Sequence, residues 1–184
     1  MANRRAIDRV LRLPVVFSVA EASRYMSDLS EKAISVYLAR YEKAGYIKKA
    51  GPRAGIYYNL LKEPLAPQNR LVDVIKKCYP SALLYGASVL HNAGWTTQIP
   101  TDIHLVVLSR PSYPQVSGVT TYPRPRSWYK KNKPNILLAP DFDSYGLPAL
   151  SPDACLSDMR AYRDGWVPDP EDIEDPSSYT RMAF

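Results

Sequence analysis

The hydrophobic period of this chain changes at Gly45, and that change constrains the fold more than any other feature of the sequence. Before it, Ala33, Ile34, Tyr37, Leu38 and Tyr41 recur three and four residues apart, the spacing of one buried helix face. After it, Tyr46–Ala50 and Ile56–Leu61 read as extended runs on either side of Gly51-Pro52-Arg53-Ala54-Gly55, which predicts a hairpin. Gly45 itself falls where a helix ends in a left-handed residue. Upstream, residues 3–13 place Ile7, Val10, Leu11 and Leu13 at helical spacing, and Pro14 stops them. Val15-Val16-Phe17 is a short apolar run. Ser18 followed three residues later by Glu21 has the spacing of a capping box and predicts a helix from Val19 to Met26. Ser27-Asp28-Leu29-Ser30 breaks it, and Asp28 or Ser30 caps the next helix, Glu31–Ala44. Helix, helix, short turn, helix, hairpin is the order of a winged helix-turn-helix, whose second paired helix enters the major groove of DNA.

The polar face of that helix carries the candidate base contacts. Lys32 and Ser35 lie in its first turns with Ser30 and Val36 beside them, and Arg40 and Lys43 lie further along, where phosphate contact is expected. Lys48, Lys49 and Arg53 put positive charge on the wing. Glu31 opposes phosphate unless it accepts from a cytosine amine or serves the helix N-terminus. The charge of the whole chain points the same way. The net of +6 hides a basic body and an acidic end: residues 1–63 carry +6, residues 64–140 carry +7, and residues 141–184 carry −7. A basic body of this kind argues for a polyanionic partner, nucleic acid first. Within it, "TTYPRPRSWYKKNKP" sets Arg124, Arg126, Lys130, Lys131 and Lys133 among Tyr122, Trp128 and Tyr129. Such interleaving suits a nucleic-acid backbone with base stacking, or else a solvated loop whose rings pack inward. The acidic run "DPEDIEDP" within residues 169–176 is expected to be a solvating tail that could compete with DNA for the basic surface.

The expected organisation is a winged helix-turn-helix over residues 1–62, a Pro-containing linker at 63–69, and a mixed α+β domain over 70–184. In the last, Arg70–Cys78 and Ser81–Ala93 read as helices, Ile103–Leu108 as a strong strand, and Val116–Tyr122 and Asn135–Leu138 as weaker ones. Pro152–Tyr162 reads as a final helix with Ser151 as its cap and Pro at the favoured first position.

Other chemistries find little support. Neither GxxxxGK[ST] nor GxGxxG occurs, so the glycine loops that cradle nucleotide phosphates are absent. Asp141 and Asp143, with Asp102, suggest a metal-dependent nuclease, but the acid-x-Lys that such a site needs on the next strand does not follow. His91 and Cys78 or Cys155 could pair as base and nucleophile, although a thiol in an apolar helix is more often inert core. His91 and His104 lack neighbouring cysteine pairs, so no metal and no cofactor is expected. No apolar stretch of about 18 residues exists, and Asp8, Arg9 and Arg12 interrupt any signal-like segment, so the expectation is a cytoplasmic, non-enzymatic protein with two reduced thiols. A competing reading is a protein-interaction module whose basic second region docks an acidic partner.

The segment "AISVYLARYEKAGYIKKAGPRAGIYYNL" is similar to the N-terminal winged helix of the AbiEi antitoxin family of type IV toxin–antitoxin systems. "YPSALLYGASVLHNAGWTTQIPTDIHLVV" and, further on, "LSPDACLSDMRAY" resemble the C-terminal antitoxin domain of the same family, through Ala87, His91, Gly94, Gln98, Pro100, Ser151, Pro152, Leu156 and Asp158. Residues 163–184 have no counterpart in that pattern. The resemblance implies an antitoxin of a phage-defence system that represses its own operon by binding repeats in its promoter. It also implies a nucleotidyltransferase toxin as the protein it counters.

Overall fold

The computed structural model describes residues 2–138, 140–164, 167–168 and 170–173. Its helices and two sheets make a mixed α+β protein, the class the sequence predicts. The chain divides into two compact units, Met1–Pro80 with Ser112–Ser117, and Ser81–Pro111 with Gly118–Phe184. No helix among the described residues is long and apolar enough to cross a membrane.

The first unit runs α1 (Ala2–Arg12), β1 (Val16–Ser18), α2 (Val19–Tyr25), α3 (Glu31–Lys43), β2 (Ile47–Lys49), β3 (Ile56–Asn59), α4 (Ala66–Asn69) and α5 (Leu71–Cys78). Its strands form an antiparallel sheet in the order β1-β3-β2. The local causes are those legible in the sequence. Ser18 Oγ accepts from the Glu21 amide at 3.1 Å and Glu21 Oε2 accepts from the Ser18 amide at 2.8 Å, so the start of α2 is a reciprocal capping box. Ser30 Oγ accepts from the Ala33 amide and starts α3. Gly45 adopts φ 73°, a conformation that costs a side-chain-bearing residue about 1 kcal/mol or more. The apolar faces then meet in one core of Val10, Leu13, Phe17, Ala22, Met26, Ile34, Leu38, Tyr41, Ile47 and Tyr57. Phe17 and Tyr57 stack across the β1–β3 pair, with ring centroids 5.6 Å apart.

Asn59 closes this core with polar bonds. It is fully buried, and its Nδ2 donates to the carbonyls of Val10 (2.7 Å) and Leu13 (3.1 Å), holding the end of α1 against β3. All four residues of β3 are buried, which requires cover on both faces of the strand. Residues beyond 62 help to supply it. Ala66 is buried in the helical turn of α4, within the stretch read from sequence as a linker. From α5, Cys78 Sγ lies 3.9 Å from the Ala54 carbonyl, and Lys77 Nζ lies 2.6 Å from Glu21 Oε1 on α2. The segment Ser112–Ser117 joins the same unit: the Ser117 amide donates to the Ala50 carbonyl, and the Tyr79 hydroxyl donates to that of Pro114. Gly51 has no side chain to spare here, because a Cβ would run into the Gln115 carbonyl.

The second unit contains β4 (Leu83–Leu84), α6 (Gly86–Asn92), β5 (Ile103–Leu108), β6 (Val119–Arg124), α7 (Arg126–Asn132), β7 (Ile136–Leu137), β8 (Ala149–Leu150) and α8 (Pro152–Tyr162). The sheet order is β6-β5-β4-β8-β7, with β5/β6 and β4/β8 parallel and the other pairs antiparallel. Two sequence expectations change here. Leu83 and Leu84 are a strand and not the first turn of a helix, because β5 and β8 offer backbone partners on either side. Residues 126–132, within the basic-aromatic stretch, fold into a helix directly after β6. Helix α8 has Pro152 in its first turn, and Ser151 at the cap position makes no side-chain cap bond. The helix ends on Arg163 with φ 52°, a rare conformation outside glycine, which turns the chain so that Asp164 faces back into the unit. Most of the acidic tail, residues 165–166, 169 and 174–184, lies outside the described residues.

Candidate nucleic-acid interface

The sequence-derived contact residues of the first unit fall on α3 and on the β2–β3 hairpin. Lys32, Ser35, Val36, Arg40 and Lys43 are all exposed along α3. Val36 is 46 % exposed in a helix whose opposite side buries Ile34, Leu38 and Tyr41, so an apolar side chain stands in the middle of the cationic face. Two of the hydroxyls are occupied by the helix itself. Ser30 Oγ serves the N-cap, and Ser35 Oγ donates to the Glu31 carbonyl at 3.1 Å. A serine hydroxyl in that bond retains acceptor capacity toward a ligand.

On the hairpin, Lys48, Lys49 and Arg53 are exposed. Lys49 Nζ lies 3.0 Å from Glu42 Oε2, which raises its pKa and partly neutralises it. That ion pair also ties the β2–β3 hairpin to the last turn of α3, so hairpin and helix end lie beside each other. Lys32, Arg40, Lys43, Lys48 and Arg53 form no ion pair among the described residues. These five cations on one helix and its adjoining hairpin are the arrangement that a polyanionic backbone would meet.

The basic-aromatic stretch of the second unit behaves differently, and Arg124 leaves the set of surface contacts. Only 3 % of its side chain is exposed, and its guanidinium donates to Asp158, Asp164 and the Tyr85 hydroxyl. Burial alone would lower its pKa, but the Asp164 and Asp158 bonds and the field of Tyr85 outweigh that and hold the charge firmly on. The rings also turn inward. The buried Trp128 donates its Nε1–H to Asp158 Oδ1 at 2.7 Å, Tyr129 donates to the Ser81 carbonyl, and the Tyr122 hydroxyl sits 2.9 Å from His104 Nδ1. What remains on the surface is Arg126, Lys130, Lys131 and Lys133, on α7 and the turn after it. Lys131 reaches a cleft of about 410 Å³ that Trp128, Asn132, Ser157, Asp158 and Tyr162 also line.

The alternative chemistries can be located as well. Asp143 spends its carboxylate on the amides of Tyr145 and Leu147 and so shapes a turn. No group of three or more His, Cys, Asp or Glu among the described residues is placed to hold a metal ion. The thiols of Cys78 and Cys155 are both buried, and burial pushes the Cys155 thiol far up, away from the reactive thiolate.

One cationic group was not singled out from the sequence. Arg5 and Arg9 of α1 and Arg40 of α3 line a groove together with Tyr37, Tyr41 and Tyr46. The signal was present in the i, i+4 spacing of Arg5 and Arg9, which places both on one helix face. Only the packing of α1 against α3 sets them beside Arg40.

No family model matches the chain, and no curated protein does. Among solved structures the chain is similar to a crystal structure of the RV2827C protein from Mycobacterium tuberculosis, with 16 % identity and a TM-score of 0.51 over 86 % of this chain. The match spans 59 % of that protein's length, and at such identity the likeness is one of fold.

Proposed function

We propose that this protein is a sequence-specific DNA-binding antitoxin of the AbiEi type, which represses its own operon and acts by binding and not by catalysis. The observation that carries the reading is the face of α3, where Lys32, Val36, Arg40 and Lys43 are exposed beside a hairpin bearing Lys48 and Arg53. The order α2, α3, β2, β3, with β3 central in the sheet, supports a winged helix-turn-helix whose recognition helix is α3. In this reading Lys32 and Ser35 meet base edges, Val36 packs on a thymine methyl, and Arg40, Lys43, Lys48 and Arg53 meet phosphates. The protein works in the cytoplasm, binds repeats in its own promoter, and counters a nucleotidyltransferase toxin encoded with it.

The test is an electrophoretic mobility shift with the duplex upstream of its own gene. A specific shift is expected, with log affinity falling against log salt at a slope of about −4 if each of the four phosphate-facing cations, Arg40, Lys43, Lys48 and Arg53, neutralises one phosphate. No shift at low salt ends the DNA reading. A nucleotidyltransferase gene adjacent to this one is the expected genetic context, and its absence removes the toxin half of the proposal.

A further inference from the structure

The groove between α1 and α3 has a composition that the recognition face does not need. Three guanidinium-bearing residues, Arg5, Arg9 and Arg40, converge on it with the rings of Tyr37, Tyr41 and Tyr46, around about 500 Å³ of space floored by Ala6 and Ala44. Two of the arginines lie against an aromatic ring. Arg9 Cζ lies 5.4 Å from the Tyr37 ring centroid and Arg40 Cζ lies 5.9 Å from the same centroid, so one ring positions two cations. Arg9 also reaches Asp28 at 2.6 Å, on a carboxylate that is 61 % exposed, while Arg5 and Arg40 have no ion-pair partner among the described residues. Like charges gathered around one concavity repel each other, and an anion seated among them relieves that repulsion.

A second, independent observation points to the same place. Tyr41 is only 3 % exposed, and its hydroxyl is buried beside Arg9 without a well-formed hydrogen bond among the described residues. Burying a hydroxyl without a partner is unfavourable, and native proteins seldom tolerate it without cause. This one belongs to a residue that lines the arginine groove, where a bound oxyanion would accept a hydrogen bond from it. The Tyr37–Tyr41 and Tyr41–Tyr46 rings are tilted neighbours, 5.9 and 6.5 Å apart, and offer π-faces beside the cations.

We infer that this groove is a phosphate-binding site, in which the forked guanidinium groups of Arg5, Arg9 and Arg40 hold a phosphoester and the Tyr41 hydroxyl donates to one of its oxygens. The tyrosine rings suit a phosphate attached to a nucleobase, because every base presents a π-face for stacking. That phosphate comes either from a free nucleotide or from the backbone of a nucleic acid. Arg40 lies at the border between this groove and the recognition face of α3. Where the ligand is free, it therefore competes with DNA for Arg40, and where the ligand is DNA, the groove extends the footprint past α3 onto α1.

The experiment uses the full chain and three probes. Inorganic pyrophosphate and dAMP are titrated calorimetrically, and a labelled DNA duplex from upstream of the gene is titrated by fluorescence anisotropy. The variants are Arg5→Ala and Tyr41→Phe, with Lys76→Ala as an exposed cation outside the groove. Tyr41→Phe keeps the ring and removes only the orphaned hydroxyl, so it retains the thermal stability of the parent. Both groove variants should weaken the occupant by about ten-fold, as expected for loss of a bond to a charged group, while Lys76→Ala leaves it unchanged. Loss confined to pyrophosphate and dAMP assigns a free nucleotide, and loss confined to the duplex assigns a nucleic-acid backbone. If the parent binds pyrophosphate or dAMP but no duplex, the groove stands and the DNA proposal falls. If the parent binds duplex, and neither groove variant changes the affinity of any probe, the groove is structural and the inference is overturned. Absence of binding to all three probes overturns it as well.

Discussion

Arg124 Nη2 lies 3.0 Å from Asp158 Oδ2, and the two side chains are 3 % and 10 % exposed. Asp158 uses its other oxygen to accept from Trp128, Asp164 joins from beyond the end of α8, and the Tyr85 hydroxyl lies between the two carboxylates and the guanidinium. The Tyr162 ring lies over the guanidinium, with its centroid 3.7 Å from Cζ. A residue that reads in the sequence as part of a basic surface strip is instead the centre of a closed polar network. It joins β6, α7 and α8 within the second unit.

The attraction in such a network offsets the cost of desolvation only while every partner is present. Arg124→Ala would leave two carboxylates buried without their cation. We expect a loss of about 3–5 kcal/mol, the range for breaking a buried pair from one side. Chemical denaturation followed by tryptophan fluorescence measures it. A loss no larger than that of an exposed arginine such as Arg126→Ala would mean the network carries little stability.

Asn59 makes a comparable claim on the first unit. Its Nδ2 serves two carbonyls, and its Oδ1 accepts from the Lys62 amide at 3.3 Å. Asn59→Ala should cost about 1–3 kcal/mol through buried groups left unpaired. Asn59→Asp should cost more, since it removes both donors and buries a charge. Equal unfolding midpoints for the two variants would contradict this account.

His104 gives the second unit a pH dependence with a definite sign. Burial pushes its pKa below the ordinary value of 6.5, with Asp102 opposing in part, and its Nδ1 faces the Tyr122 hydroxyl. The unfolded chain therefore binds a proton more readily than the folded one between the lowered value and 6.5. Stability from this group is complete above 6.5, falls as the pH drops through that interval, and levels off once the folded imidazole is itself protonated. The thermal midpoint should decline from pH 7 to pH 5.5, and His104→Gln should flatten the decline. An unchanged slope in that variant would assign the dependence elsewhere. Glu21 acts in a separate and lower window, since Lys77 and Ser18 outweigh its partial burial and hold its pKa below the usual carboxylate value.

Residues on the proposed DNA-binding face of α3 and the hairpin should separate by role under substitution. Lys32→Ala should relax sequence preference, whereas Arg53→Ala should weaken all duplexes alike and reduce the salt slope by about one. Ser30→Ala should act chiefly on stability, by about 1 kcal/mol, because its hydroxyl is the N-cap of α3. Competition binding with specific and scrambled duplexes over a range of salt checks the first two, and chemical denaturation checks Ser30→Ala. If Lys32→Ala leaves the preference intact, α3 is not the reading helix.

The sequence by itself determined what neighbours in the chain decide among themselves. The capping box of Ser18 and Glu21, the apolar face of α3, the left-handed Gly45 and the hairpin after it all depend on residues within a few positions of one another. The bounds of α8 were legible for the same reason. Tertiary structure decided what depends on partners far along the chain. Leu83 and Leu84 became a strand because β5 and β8 lie on either side of them, and Ser112–Ser117 joined a unit that otherwise ends at Pro80. Arg124 became a core residue because Tyr85, Asp158 and Asp164 are 39, 34 and 40 positions away, a distance over which no local pattern carries information. The groove of Arg5, Arg9 and Arg40 has the same origin. Arg40 was legible as a cation of α3, but only the packing of α1 on α3 sets Arg5 and Arg9 beside it around one groove.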